Sequence, residues 1–145
     1  MTIEEIISTW QHDSSIDPTN VGNSSLDIAK LHAKYLRFLT EERLLLKKLR
    51  SQYKELNKQK YEYYSGSLSE DELRANGWQP FLQKVLKTDI AMYIESDQDI
   101  IKLSLKIGLQ EEKVDVLDSI IKSINNRGFQ IKNYIDWTKF TNGAS

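Results

Sequence analysis

The chain has 145 residues, enough for one ordinary domain that buries roughly two-thirds of its unfolded surface. Its 39% hydrophobic and 28% charged content is that of a globular chain and excludes a disordered one. The lack of cysteine excludes disulfides, thiolate nucleophiles and cysteine-based metal sites, and the net charge of -1 conceals an uneven distribution.

The first residues, Met1-Thr2-Ile3-Glu4-Glu5, are acidic and followed by no apolar run, which predicts that the chain carries no signal peptide. The longest aliphatic run, Leu44-Leu45-Leu46, is far too short to span a bilayer, so no membrane is expected as a partner. Residues 1–27 hold five acids and no base, whereas residues 28–64 hold ten Lys/Arg against four Glu. Residues 65–101 are acidic again, with seven acids against three bases, and residues 102–145 carry seven bases against five acids. One concentrated basic segment in an acidic chain attracts a polyanion locally.

Thr2 and Glu5 form a capping-box pattern, and Ile3, Ile6, Ile7 and Trp10 fall on one face of a short amphipathic helix. The run Asp17-Pro18-Thr19-Asn20-Val21-Gly22-Asn23 then breaks the chain, leaving Ser24 or Ser25 to cap the next helix. From about Ser25 to Tyr64 there is no Pro or Gly, and helix formers dominate. Leu31, Tyr35, Phe38, Leu45, Leu49 and Leu56 repeat at alternating four- and three-residue steps, with Glu42 and Gln52 in the remaining places. This predicts a helix of about 60 Å with a coiled-coil-like seam, which needs another helix to cover it.

Gly66 is placed to cap that helix in the left-handed conformation. Residues 67–80, acidic and broken by Gly77 and Pro80, read as a connector, and Phe81, Leu82, Val85 and Leu86 as a short helix. Residues 101–109 alternate like a strand, but a single helix from about Asp97 to Asn126 is preferred because no partner strand is evident. Arg127-Gly128 is expected to stop it, with a last short helix over Phe129, Ile131, Ile135 and Phe140 before the polar tail Asn142-Gly143-Ala144-Ser145. The fold expected is mainly α, a long N-terminal amphipathic helix plus a C-terminal helical subdomain. Its division is residues 1–66 as a helical region carrying the basic segment, 67–80 as the connector, and 81–145 as a C-terminal helical region.

The inventory for catalysis is thin. The six glycines form no phosphate-cradling pattern, His12 and His32 stand twenty residues apart, and no nucleophile has a base beside it. Neither an enzyme nor a cofactor or metal is expected. What is present is a basic ridge, Arg43, Lys47, Arg50, Lys54 and Lys58, at steps of four, three, four and four along one helix face. It leads into Lys58-Gln59-Lys60-Tyr61-Glu62-Tyr63-Tyr64-Ser65-Gly66. Lysines neutralise phosphates, and the rings of Tyr61, Tyr63 and Tyr64 suit stacking on unpaired bases, which a duplex hides. The competing reading is a coiled-coil adaptor whose basic helix pairs with an acidic protein.

That nine-residue run, together with Asp97-Gln98-Asp99-Ile100-Ile101-Lys102 and Asn126-Arg127-Gly128-Phe129-Gln130-Ile131-Lys132, resembles the UvsY family of recombination mediators of T-even-type phages over nearly the whole chain. The resemblance implies a hexameric or heptameric ring that binds single-stranded DNA without catalysing a reaction. It also implies a RecA-like phage recombinase and the phage single-strand-binding protein as partners, in the cytoplasm of the infected bacterial host. Lys58 and Lys60 stand at the family's DNA-contacting basic positions, and Tyr63-Tyr64-Ser65-Gly66 match the element after them. The chain departs from the family pattern in having Lys60 for Arg, Glu62 for Asp and Tyr61 for an aliphatic residue. A guanidinium's bidentate grip on phosphate is therefore lost at Lys60. The apolar C-terminal residues Phe129, Ile131, Ile135, Trp137 and Phe140 are candidates for the assembly interface, the alternative being that they close the subunit's own core.

Overall fold

The structure is a computed structural model and describes residues 1–143; Ala144 and Ser145, the end of the expected polar tail, lie outside the described residues. The elements run α1 (Ile3–Asp13), α2 (Val21–Leu26), α3 (Ile28–Tyr64), α4 (Glu70–Asn76), a 3-10 turn (Lys87–Asp89), α5 (Ile90–Glu95) and α6 (Gln98–Thr141), with no strand among the described residues. Two compact units form: Met1–Leu44 with the chain from Gln110 onward, and Leu45–Leu109. The two long helices contribute to both.

In the first unit, Thr2 and Glu5 make the reciprocal bonds of a capping box: the Thr2 hydroxyl accepts from the Glu5 amide at 3.1 Å, and the Glu5 carboxylate from the Thr2 amide at 2.9 Å. Below that cap, Ile6 buries fully among Tyr35, Leu39, Leu117, Ile120 and Ile124. The Tyr35 ring stands edge-on to Trp10 at 5.3 Å, and its hydroxyl donates to Asp13 at 2.9 Å. Ile7, expected on the inner face, is instead 43% exposed.

The packing stripe of α3 differs from the expected seam by one residue at alternate steps. Tyr35, Leu39, Glu42, Leu46, Leu49, Tyr53, Leu56 and Lys60 point inward, while Leu45 and Gln52 point out and Phe38 is half-buried. Positions 35, 42, 49 and 56 are common to both patterns, and the intervening step can fall at three or four residues. The triple leucine at 44–46 satisfies either, and the side on which the covering helix lies decides. Glu42 survives inside the stripe because Gln110, also buried, donates its amide to both the Glu42 carbonyl and carboxylate.

The long helix does not begin near Ser25: Ser24 and Ser25 lie inside the separate α2 (Val21–Leu26), and α3 begins at Ile28. A larger difference is α6, which continues through Arg127-Gly128 to Thr141 as 44 residues of helix. Arg127 does not break the helix: its buried guanidinium reaches out to the Ser14 and Ser15 carbonyls at 3.0 and 2.9 Å, just past the C-terminus of α1. Gly128 costs the helix about 1 kcal/mol relative to alanine, and burial of Ile131 one turn later outweighs that. Phe129, Ile135, Trp137 and Phe140 therefore lie on the last turns of α6, all exposed.

In the second unit α3 ends as expected. Gly66 adopts φ 79°, the Ser67 amide donates to the Glu62 carbonyl, and the Gly66 amide to that of Tyr63. The 67–80 segment carries a helix of its own, α4, capped reciprocally by Ser69 and Glu72. The expected helix over 81–86 does not form. Phe81 is drawn into an aromatic cluster and Val85 packs on Ile90, Ile94 and Ile100, which holds the backbone out of a helix. Residues 101–109 are helical, resolving the strand alternative.

Candidate nucleic-acid interface

The basic-tyrosine run occupies the last two turns of α3, and helical geometry divides it. The buried stripe advances from Leu49 through Tyr53 and Leu56 to Lys60. Lys47, Arg50, Lys54 and Lys58 advance on the adjacent face, about 100° away, and Tyr61 is the next residue in that row. All five are exposed, Tyr61 at 45%. Among the described residues, Lys47, Lys54 and Lys58 have no ion pair. Arg43, in the first unit, is exposed and lies 3.7 Å from Asp118, so its charge is partly answered.

Lys60, two residues from Lys58, faces the opposite way. It is 4% exposed, with its ammonium 3.1 Å from Asp97 and 2.8 Å from Asp99 and 3.9 Å above the centre of the Trp78 ring. Asp97 is the hub of this cluster. One oxygen caps α6 by accepting the amides of Asp99 (2.9 Å) and Ile100 (3.1 Å), and the other accepts the Tyr64 hydroxyl at 2.6 Å and Lys60. Burial pushes the Asp97 carboxyl up, but the bonds from Tyr64, the Ile100 amide and Lys60 together outweigh it and hold it below the usual carboxylate range. Burial, with the Asp97 carboxylate behind it, pushes the Tyr64 phenol well above its ordinary value.

Tyr63 and Tyr64 are half-buried. Tyr63 packs edge-on against Trp78 at 5.4 Å and donates its hydroxyl to the Gln79 carbonyl at 2.6 Å. Tyr64 meets Phe81 at 4.9 Å and Tyr93 at 5.6 Å. Of the nine residues singled out in sequence, the structure thus keeps Arg43, Lys47, Arg50, Lys54, Lys58 and Tyr61 at the surface. Lys60, Tyr63 and Tyr64 face the interior of the second unit. Asp97, Asp99, Trp78 and Phe81 were not among the candidates. The expected seam continues past Leu56 to Gln59; only the observed stripe, shifted by one residue at alternate steps, lands on Lys60, so local spacing does not single out Lys60 or its buried counter-charge.

Among the described residues no group of acids and histidines is arranged to hold a metal, and no helix is long and apolar enough to cross a membrane.

Comparison with known proteins assigns the chain to a family. The family described as "Recombination, repair and ssDNA binding protein UvsY" matches residues 9–144. The chain belongs to the UvsY family. Like its relatives, it is a recombination, repair and single-stranded-DNA-binding protein. The recombination protein uvsY of Enterobacteria phage T4 is 22% identical over 143 residues, covering 99% of each chain. Two crystal structures of the bacteriophage T4 recombination mediator protein UvsY, in lattice types II and IV, superpose with TM-scores of 0.83 and 0.85. Each covers 97% of this chain and 98% or 99% of its own, at 22% and 21% identity, so the UvsY fold is kept while most side chains have changed.

Proposed function

We propose that this chain is a recombination mediator whose strand-contacting surface is the outward row of α3. In this reading Lys47, Arg50, Lys54 and Lys58 follow the phosphates of one single strand, Arg43 extends the row, and Tyr61 stacks on a base at its end. Such stacking contributes roughly 1–3 kcal/mol per base and is tolerant of sequence, as a mediator acting along any strand requires. Lys60, Tyr63 and Tyr64 do not touch the strand. They hold the turn that presents Lys58 and Tyr61, with Lys60 locked by Asp97 and Asp99. The observation that carries this reading is the row of unpaired lysines ending in an exposed tyrosine.

One row of this length binds weakly, so the mechanism rests on assembly. Six or seven copies in a ring offer as many rows to one strand, and linked sites gain avidity through effective concentration without any new contact. A strand held this way is drawn off the phage single-strand-binding protein and presented to a RecA-like recombinase, in the cytoplasm of the infected host. The chain catalyses no reaction. The exposed apolar end of α6, with Phe129, Ile135, Trp137 and Phe140, supplies part of the assembly surface. The test is a titration of fluorescent oligo-dT and the matching duplex against the protein across a salt series, with its mass followed by light scattering. Preferential binding of the single strand by an oligomer is expected. Equal affinity for the duplex, or a monomer that binds as tightly as the oligomer, contradicts the reading.

A further inference from the structure

An exposed anchor on one unit matches an open groove on the other. Between the structured turns of the second unit, residues 78–86 run without regular structure, fastened from within by Phe81 and Val85. The fastening turns Leu82 and Leu86 outward, 89% and 72% exposed, with Lys84 and Lys87 exposed beside them. Two leucines displayed this fully on a pinned segment, with unpaired Lys84 between them and unpaired Lys87 after them, form a compact apolar anchor with positive charge beside it.

The first unit carries the complement. Where α1 lies along α6, a groove of about 400 Å³ is floored by Trp10, Val116 and Ile120 and edged by the exposed Ile7, Glu112 and Asp115. Neither Glu112 nor Asp115 has an ion pair among the described residues. From Glu112 to Ser123 the α6 wall of this groove runs about 16 Å at 1.5 Å per residue. An extended chain from Leu82 to Leu86 covers about 13 Å. Length, apolar character and charge sign all agree.

We propose that residues 82–87 of one copy of this chain dock in the Ile7–Trp10–Val116 groove of a second copy. Leu82 and Leu86 enter the groove, while Lys84 and Lys87 face Glu112 and Asp115. The two patches are different surfaces of one chain, so the contact is heterologous and propagates from copy to copy into a ring or a filament. The inference rests on the assembly invoked above and adds a subunit contact to the one made by the apolar end of α6.

The test is a charge exchange on the full chain, with mass read by light scattering over a dilution series and folding by circular dichroism. Glu112→Lys with Asp115→Lys, and separately Lys84→Glu with Lys87→Glu, should each raise the concentration needed for half-assembly by about tenfold or more. Combining all four substitutions should restore assembly toward the unmodified chain, because attraction is re-established with the signs reversed. Unaltered assembly in both single-sided variants, or no recovery in the combined one, overturns the proposal. If the unmodified chain is itself a monomer, the assembly reading fails as well, and the two failures are told apart. Single-sided variants that lose helix are replaced by Leu82→Ser with Leu86→Ser, both exposed positions, which must weaken assembly in the same way.

Discussion

Lys58 and Lys60 are two residues apart on one helix, yet their surroundings have almost nothing in common. Lys58 is exposed and has no ion pair among the described residues, whereas Lys60 is 4% exposed between two aspartates and a tryptophan ring. The tyrosines divide the same way, Tyr61 outward and Tyr63 and Tyr64 inward. A two-residue step on an α-helix is about 200°, so a motif dense in one residue type supplies both faces at once. The lesson is that a basic-aromatic run can be half binding surface and half the structure that holds it. The two halves should respond to different perturbations.

The largest effect is expected inside. Asp97→Ala removes the cap of α6 and leaves Lys60 buried with Asp99 alone, at a cost of about 3–5 kcal/mol in urea unfolding followed by the helix signal. Lys60→Met should cost less, about 2–3 kcal/mol by the same measurement, since Asp97 keeps its bonds from Tyr64 and two amides. If either variant unfolds at the same urea concentration as the unmodified chain, the inner cluster is not what holds this end of α3.

On the outer face, Tyr61→Ala should leave the unfolding midpoint in place, with stability within about 0.5 kcal/mol. Single-strand affinity should fall by roughly 1–3 kcal/mol per stacked base, with Tyr61→Phe retaining most of it. The smallest effect is that of pH. The Asp97 carboxyl is held below its usual range in the folded chain, so its contribution to stability is fully present above the unfolded value of about 3.9 and is lost as pH falls through the folded one. From pH 8 to 5 this group should therefore leave stability unchanged. Below about pH 4 the unmodified chain should lose stability more steeply than Asp97→Asn.

Much of this was legible in local sequence. Thr2 with Glu5 and Gly66 act as their residue types dictate, because capping is decided within a few residues. The outward row was also legible, since four-three spacing on a helix maps directly to a face. What was not legible depends on distant partners. The role of Arg127 is visible only once Ser14 and Ser15, more than a hundred residues earlier, are beside it. Lys60 looked like another surface cation until Asp97 and Asp99, thirty-seven and thirty-nine residues on, were placed against it. The choice between Leu45 and Leu46 likewise waited on which side of α3 was covered.

The division of the motif is tested most directly by the salt dependence of single-strand binding in Lys58→Ala and Lys60→Met, each measured where it is fully folded. A lysine on a phosphate contributes about -0.7 per contact to the slope of log K against log salt, and a buried one contributes nothing. The slope is expected to become shallower by about that amount per subunit in Lys58→Ala and to stay unchanged in Lys60→Met, whatever its affinity. A slope reduced equally by both substitutions would mean that Lys60 leaves its aspartates to meet the strand, and would contradict the account.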